Sequence, residues 1–191
     1  MRRNSVLGLS IAALIAAVLA FILVGRESAG TKSVGGDGRM FAEFLDRANE
    51  VFSIEIDSGN EKFTVTRSGG DAWVVAEKSG YPAKFDMVKK TILDVAELEL
   101  TEKKTDDPQR HKILGLDDPS PKSGGALSIK FLDEQGHALA ALLVGGTPRS
   151  GQDSRYVRHP GNKQTWLGSG GPEVAISPLD WIDQNLLRVR H

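Results

Sequence analysis

The chain has 191 residues, 26% of them charged and 40% hydrophobic, with a formal net charge of −1. That length allows one domain with a substantial core, and the near-neutral balance leaves no basic footprint, so no nucleic-acid partner is expected. Cysteine is absent, which removes disulfides, thiol chemistry and cysteine-held metal from consideration.

Residues Val6 to Val24 (VLGLSIAALIAAVLAFILV) run without charge behind Arg2 and Arg3. A helix of that length spans ~28 Å, about one hydrocarbon core. The two arginines favour retention of the amino terminus in the cytoplasm. The expectation is a single crossing of the inner (cytoplasmic) membrane, with the lipid bilayer held through Val6 to Val24 and the bulk of the chain periplasmic. A cleavable signal peptide is the alternative, but its apolar core usually has about 7–15 residues. Here the best exit, Ser28-Ala29-Gly30, comes only after charged Arg26 and Glu27. Residues 1–25 are therefore read as a transmembrane signal-anchor, residues 26–39 as a flexible Gly/Ser/Thr-rich stalk, and residues 40–191 as a single domain.

Within the domain, Phe41, Phe44, Leu45 and Ala48 are spaced like one face of a short helix. Three strands follow. Val51–Asp57 alternates from Phe52 on, Lys62–Arg67 alternates again, and Ala72–Ala76 comes after a Ser-Gly-Gly-Asp turn. Period-two patterns joined by such turns predict an antiparallel meander with one buried face. Phe85, Val88, Ile92, Val95 and Leu98 then recur every three or four residues, with Leu93, Ala96 and Leu100 beside them, which predicts an amphipathic helix lying across the sheet. Thr101–Asp107 is a polar connection. Asp107-Pro108 caps and starts a short helix that Gly115 ends.

A second meander begins at Ala126, with Leu127, Ile129 and Phe131 alternating against Ser128 and Lys130. Ala138–Val144 is a continuous apolar run, read as a strand covered on both faces. Further strands are expected at Arg155–Arg158 and Gln164–Leu167. Ser177-Pro178 opens a last short helix with a capping serine. The fold class is α+β: mostly antiparallel sheet in two meanders, with a central amphipathic helix.

No residue pattern in the chain predicts catalysis, and no cofactor is expected. Asp106, Asp107, Asp117 and Asp118 bracket the short helix and would suit calcium, but no EF-hand spacing exists and the Asp-Pro pairs are explained by capping and turns. His111, His137, His159 and His191 lack any zinc-ligand spacing and are read as solvated. Gly168-Ser169-Gly170-Gly171 is read as a turn rather than a nucleophile site, and Gly145–Gly151 as a hairpin loop rather than a phosphate loop, since it lacks a Lys-Ser/Thr ending. The recognition candidates are large or charged side chains: Trp73, Tyr81, Tyr156, Arg158 and Trp166. Of the three tryptophans, Trp73, Trp166 and Trp181, at least two are expected mostly buried. Arg155 and Arg158, three residues apart, are expected on opposite faces of their strand.

Trp73-Val74-Val75, Tyr81-Pro82-Ala83, a helix, and Leu114-Gly115-Leu116-Asp117-Asp118-Pro119 occur in that order. Leu143-Val144-Gly145, Tyr156-Val157-Arg158, Thr165-Trp166-Leu167 and Asp180-Trp181-Ile182-Asp183 continue the series. In this the chain resembles the domain of unknown function 4340 family, over nearly the whole of the domain. The resemblance implies a bacterial protein with one membrane helix and an exported domain, no assigned catalytic residue, and frequent neighbourhood with ATP-binding-cassette (ABC) transporters. Lys84 departs from the family pattern, which often has Asp there, so the helix is expected to be capped differently. Longer relatives continue past Asp180–Asp183, so this chain is either a minimal version or completes its sheet with a partner. The resulting expectation is a non-enzymatic accessory or interaction component of an envelope complex, with envelope membrane proteins, ABC-transporter subunits among them, as partners. The alternative is a glycan- or peptidoglycan-binding module using exposed aromatics.

Overall fold

A computed structural model describes residues 38–121, 125–149 and 153–183. The expected anchor over Val6–Val24 and nearly all of the expected stalk lie outside the described residues. No helix among the described residues is long and apolar enough to cross a membrane.

Nine strands are described: β1 (Ser53–Asp57), β2 (Lys62–Arg67), β3 (Trp73–Val75), β4 (Tyr81–Pro82), β5 (Glu99–Lys103), β6 (Leu127–Leu132), β7 (Ala138–Val144), β8 (Ser154–Arg158) and β9 (Thr165–Ser169). They form one sheet in the order β4-β3-β2-β1-β6-β7-β8-β9-β5, antiparallel at every pairing. The two expected meanders are therefore halves of one larger sheet, fused where β1 pairs with β6. The expectation of two meanders missed this because alternation identifies a strand without naming its distant partner.

Period-two alternation sends Ile54, Ile56, Phe63, Val65, Ile129 and Phe131 to one face. There they join helix α1 (Phe85–Ala96), whose Val88, Ile92, Val95 and Ala96 belong to the same core cluster. The helix is shorter than expected. Phe85, assigned to the apolar stripe, is exposed, and Leu98 and Leu100 fall beyond the carboxyl end. Leu98 still fills the core. Leu100 belongs to β5, most of which had been read as a polar connection. Lys84, at the N-cap, makes no side-chain capping bond, and its Nζ donates instead to the Asp180 carbonyl at 2.7 Å.

Two smaller helices follow, α2 (His111–Leu114) and α3 (Pro178–Trp181). Ser177 precedes α3 without a side-chain cap, so the expected capping bond is absent there. Trp181 is fully buried, donates Nε1–H to the Ala175 carbonyl at 2.9 Å, and meets Phe63 edge-on. The expected helix around Phe41–Ala48 is instead a run of tight turns. Phe44, Arg47, Ala48 and Glu50 each donate N–H to the carbonyl three residues back, a ladder that repeats the same apolar spacing.

Both rims of the sheet are covered by chain distant from them in sequence or flanking the strands. Beside β5, Met40 N–H bonds the Leu98 carbonyl and Leu100 N–H bonds Gly38. Beside β4, Lys84 N–H bonds Trp181 and Asp183 N–H bonds Pro82. Such cover blunts the unpaired rows that make open edges aggregate.

The amino-terminal turns also pack on the β8–β9 connection, where Phe41 lies edge-on to His159, ring centres 5.1 Å apart. Burial disfavours the charged imidazole and lowers its pKa from 6.5. The unfolded chain then binds the proton more readily, so the stability tied to His159 is complete above pH ~6.5 and falls as the pH drops toward the lowered folded value. We expect the urea midpoint to decrease from pH 7.5 to 5.5, and His159→Gln to flatten that decrease. Identical slopes for the two proteins would refute the assignment.

Candidate functional site

The chain leaves β5 and makes an excursion over the opposite face of the sheet before returning as β6. Asp107 starts it, its carboxylate accepting the Gln109 N–H at 3.0 Å, with Pro108 in the first turn. Helix α2 ends at Gly115, whose φ of 67° is the left-handed conformation that glycine adopts without penalty. Leu116 and Ala126 are then pressed onto Leu143 of β7, with Leu114 and Tyr156 at the margin. This second, smaller cluster covers the outer side of β7 and accounts for its continuous apolar run.

Arg158 of β8 holds the excursion down. Its guanidinium donates to the Leu116 carbonyl from Nε and Nη2, to the Asn162 carbonyl from Nη1, and to Asp118 Oδ1 at 2.6 Å. The Arg158 side chain is 6% exposed whereas that of Asp118 is 80% exposed. The carbonyls therefore supply the buried part of the arrangement, and Asp118 caps it from solvent. Arg155, on the other face as alternation requires, donates to Thr147 Oγ1 at 2.6 Å.

Next to the clamp lies an open groove of about 510 Å³. Leu127, Val144 and Ile176 supply its apolar lining, and Ser58, Glu61 and Gly145 also line it. A Cβ on Gly145 would collide with the Leu114 carbonyl, so only glycine lets the β7–β8 connection approach the end of α2 this closely. Ser58 Oγ accepts the Glu61 N–H at 3.1 Å and serves the β1–β2 turn. The groove thus offers apolar surface with a polar lip, fit to receive an aliphatic side chain rather than to activate a nucleophile.

The expected recognition residues are divided by the fold. Trp73 and Tyr81 lie on β3 and β4 at one rim, while Tyr156, Arg158 and Trp166 lie on β8 and β9 near the other, with five strands between β3 and β9. Trp73 is buried beneath the Arg67 guanidinium, which sits 5.3 Å from its ring centre. Trp166 is partly buried with Lys103 Nζ over its ring at 5.2 Å. With Trp73 and Trp181 buried, two tryptophans are core residues as expected. Tyr81 alone of the five is exposed, Tyr156 and Trp166 being half-buried.

Two histidines are not solvated as expected: His159 is half-buried against Phe41, and His111 is buried, donating Nε2–H to the Lys163 carbonyl at 2.8 Å, while His191 lies outside the described residues. His137 is exposed and meets Asp133, whose carboxylate also accepts backbone N–H groups from Gln135 and His137 and is held below its usual pKa. Among the described residues, no group of three or more His, Asp or Glu is placed to hold a metal ion. Gly168 and Ser169, read as part of a turn, complete strand β9. The features missed in sequence are the groove and the exposure of Phe85 and Leu179. Phe85 carried a signal, since a helix's first residue lies where the apolar stripe runs out over the preceding turn.

The clamp makes an asymmetric prediction. Arg158→Met keeps the stem but leaves the Leu116 and Asn162 carbonyls without donors, and should cost roughly 2–4 kcal/mol in urea unfolding. Asp118→Asn removes an exposed partner and should cost less than about 1 kcal/mol. Equal losses would contradict the division between buried carbonyls and exposed carboxylate.

Comparison with known proteins gives a family match: the family model described as Domain of unknown function (DUF4340) covers residues 73–191. No curated protein and no solved structure matches the chain.

Proposed function

The chain belongs to the DUF4340 family, and from that premise we propose that it is a non-enzymatic, membrane-anchored extracytoplasmic domain that serves as an interaction component of a cell-envelope complex. Transporter subunits of the ATP-binding-cassette type are the partners we favour. The anchor is Val6–Val24, uncharged and preceded by two arginines.

The observation that carries the reading is the use to which the fold puts its buried polar groups. Arg158 ties down the excursion, His111 holds the Lys163 carbonyl, and Thr165 Oγ1 donates to the Thr105 carbonyl at 2.8 Å. Each is spent on fixing a loop, which supports a scaffold presenting surfaces over a catalyst presenting reactive groups. The surfaces it presents are the apolar groove and the exposed side chains at the sheet's rim. Division of the aromatics between two rims weighs against stacking on one glycan chain, because that mode needs neighbouring rings.

Two measurements test the proposal. Alkaline phosphatase fused at the carboxyl end should be active, and crosslinking in intact membranes followed by mass spectrometry should recover the same membrane-complex subunits in independent preparations. Phosphatase activity absent while a cytosolic reporter is active would reverse the topology. A chain that crosslinks to nothing reproducible would remove the complex.

A further inference from the structure

Three large apolar side chains stand out at one corner of the molecule: Tyr81, 46% exposed, Phe85, 54%, and Leu179, 58%. Backbone bonds assemble this corner. Lys84, immediately before Phe85, donates N–H to the Trp181 carbonyl and Nζ to the Asp180 carbonyl, while Asp183 N–H bonds Pro82. The start of α1, the end of β4 and the whole of α3 are thereby fastened together. Nothing in the core requires Phe85 or Leu179 to be apolar where they stand, since the neighbouring Ala83 and Trp181 fill the interior.

We propose that this corner rests in the interfacial layer of the bilayer that Val6–Val24 enters, fixing the orientation of the domain against its own membrane. The proposal rests on the anchored reading above. Chain length is the first argument. Residues 26–37 separate Gly25 from Gly38, and a chain of that many residues reaches at most ~40 Å. Met40 is bonded to Leu98, just past the carboxyl end of α1, and Phe85 is the first residue of that helix. Twelve helical residues rise ~18 Å. The tether therefore covers the distance from bilayer to corner with chain to spare, and holds the local concentration of lipid surface high enough for three side chains to matter.

Chemistry is the second argument. Tyrosine is favoured at the headgroup level, where its ring is buried and its hydroxyl stays wet, and phenylalanine and leucine insert just below. Lys84 and Lys89 share the corner with Asp86, Asp180 and Asp183, so there is no excess positive charge, the attraction is apolar and a neutral lipid surface suffices. A protein docked at the same place would bury the same side chains, and the test separates the two.

The absence of native cysteine permits single nitroxide labels on the full chain. Phe85→Cys and Leu179→Cys probe the corner, and Ile113→Cys on α2, 81% exposed, reports an aqueous surface. In phosphatidylcholine nanodiscs, labels at 85 and 179 should be several-fold more accessible to oxygen than to a water-soluble nickel complex, relative to the label at 113. A position 85 as aqueous as 113, in chains that stay with the discs through an alkaline wash, overturns the docking and leaves the anchor standing. Chains that wash off the discs overturn the anchor and the docking together. Labels aqueous in nanodiscs but immobilised in native membranes assign the corner to a protein partner and also overturn the proposal.

Discussion

The pairing of β1 with β6 is the contact on which the rest of the structure depends. Five residue pairs run between these strands, from Ser53 opposite Leu132 to Asp57 opposite Ser128. On the inner face they set Ile54 against Phe131 and Ile56 against Ile129, all four without exposure. Burial of such side chains contributes ~1.5–3 kcal/mol each. On the outer face the same register brings Lys130 to Glu55 at 3.4 Å, a partly exposed pair of little energetic weight. Apolar burial therefore sets the register, and the ion pair follows from it. Without this junction the β4–β1 half and the β6–β9 half would each present an open strand edge, and α1 would have half a sheet to lie on.

Joining two halves produces a long sheet, and a long sheet has two rims to manage. The solution is the same at both. One stretch of chain, Gly38–Met40, bonds along β5, and another far from it in sequence, Trp181–Asp183, bonds along β4. The rim strands are themselves poor templates for further pairing. β4 has two residues, one of them Pro82, which lacks an N–H; β5 carries Glu99, Glu102 and Lys103. Because α1 connects these strands in sequence, it also sets how far apart the two covered rims lie.

What was legible in the sequence follows from these same facts. β1, β2, β3 and β6 show in their alternation because one face of each is buried and the other is not. β7 reads as apolar throughout because the excursion through Leu116 and Ala126 covers its second face. β5 was invisible. Its ladder with β9 is made by backbone, most of its side chains are exposed, and nothing periodic remains to be read. The Phe41–Ala48 stretch was misassigned for a different reason: tight turns with bonds three residues back keep the same apolar face toward the core as a helix does. Among the candidate site residues, Arg158 was singled out for recognition, and the structure gives it a buried holding role. Its partners, the Leu116 and Asn162 carbonyls, are backbone groups that side-chain patterns do not announce.

The division of labour between interior and surface has a physical basis. A buried guanidinium is tolerated only when its donors are occupied, and Arg158 meets that demand with carbonyls from two loops, so its desolvation is offset by fixing both. Four of its five N–H donors are committed in this way, which leaves little for a ligand. The same reasoning applies to His111 and Thr165, whose partners are also main-chain carbonyls. Under the proposed interaction role, recognition would fall to what the fold leaves uncommitted. Among the described residues these include the groove lined by Leu127, Val144 and Ile176 and the corner where Tyr81, Phe85 and Leu179 are exposed. The bonds that close the β4 rim also build the corner. At the β4 rim, edge protection and surface presentation are in this sense one device: the residues that cover the strand also position Tyr81, Phe85 and Leu179.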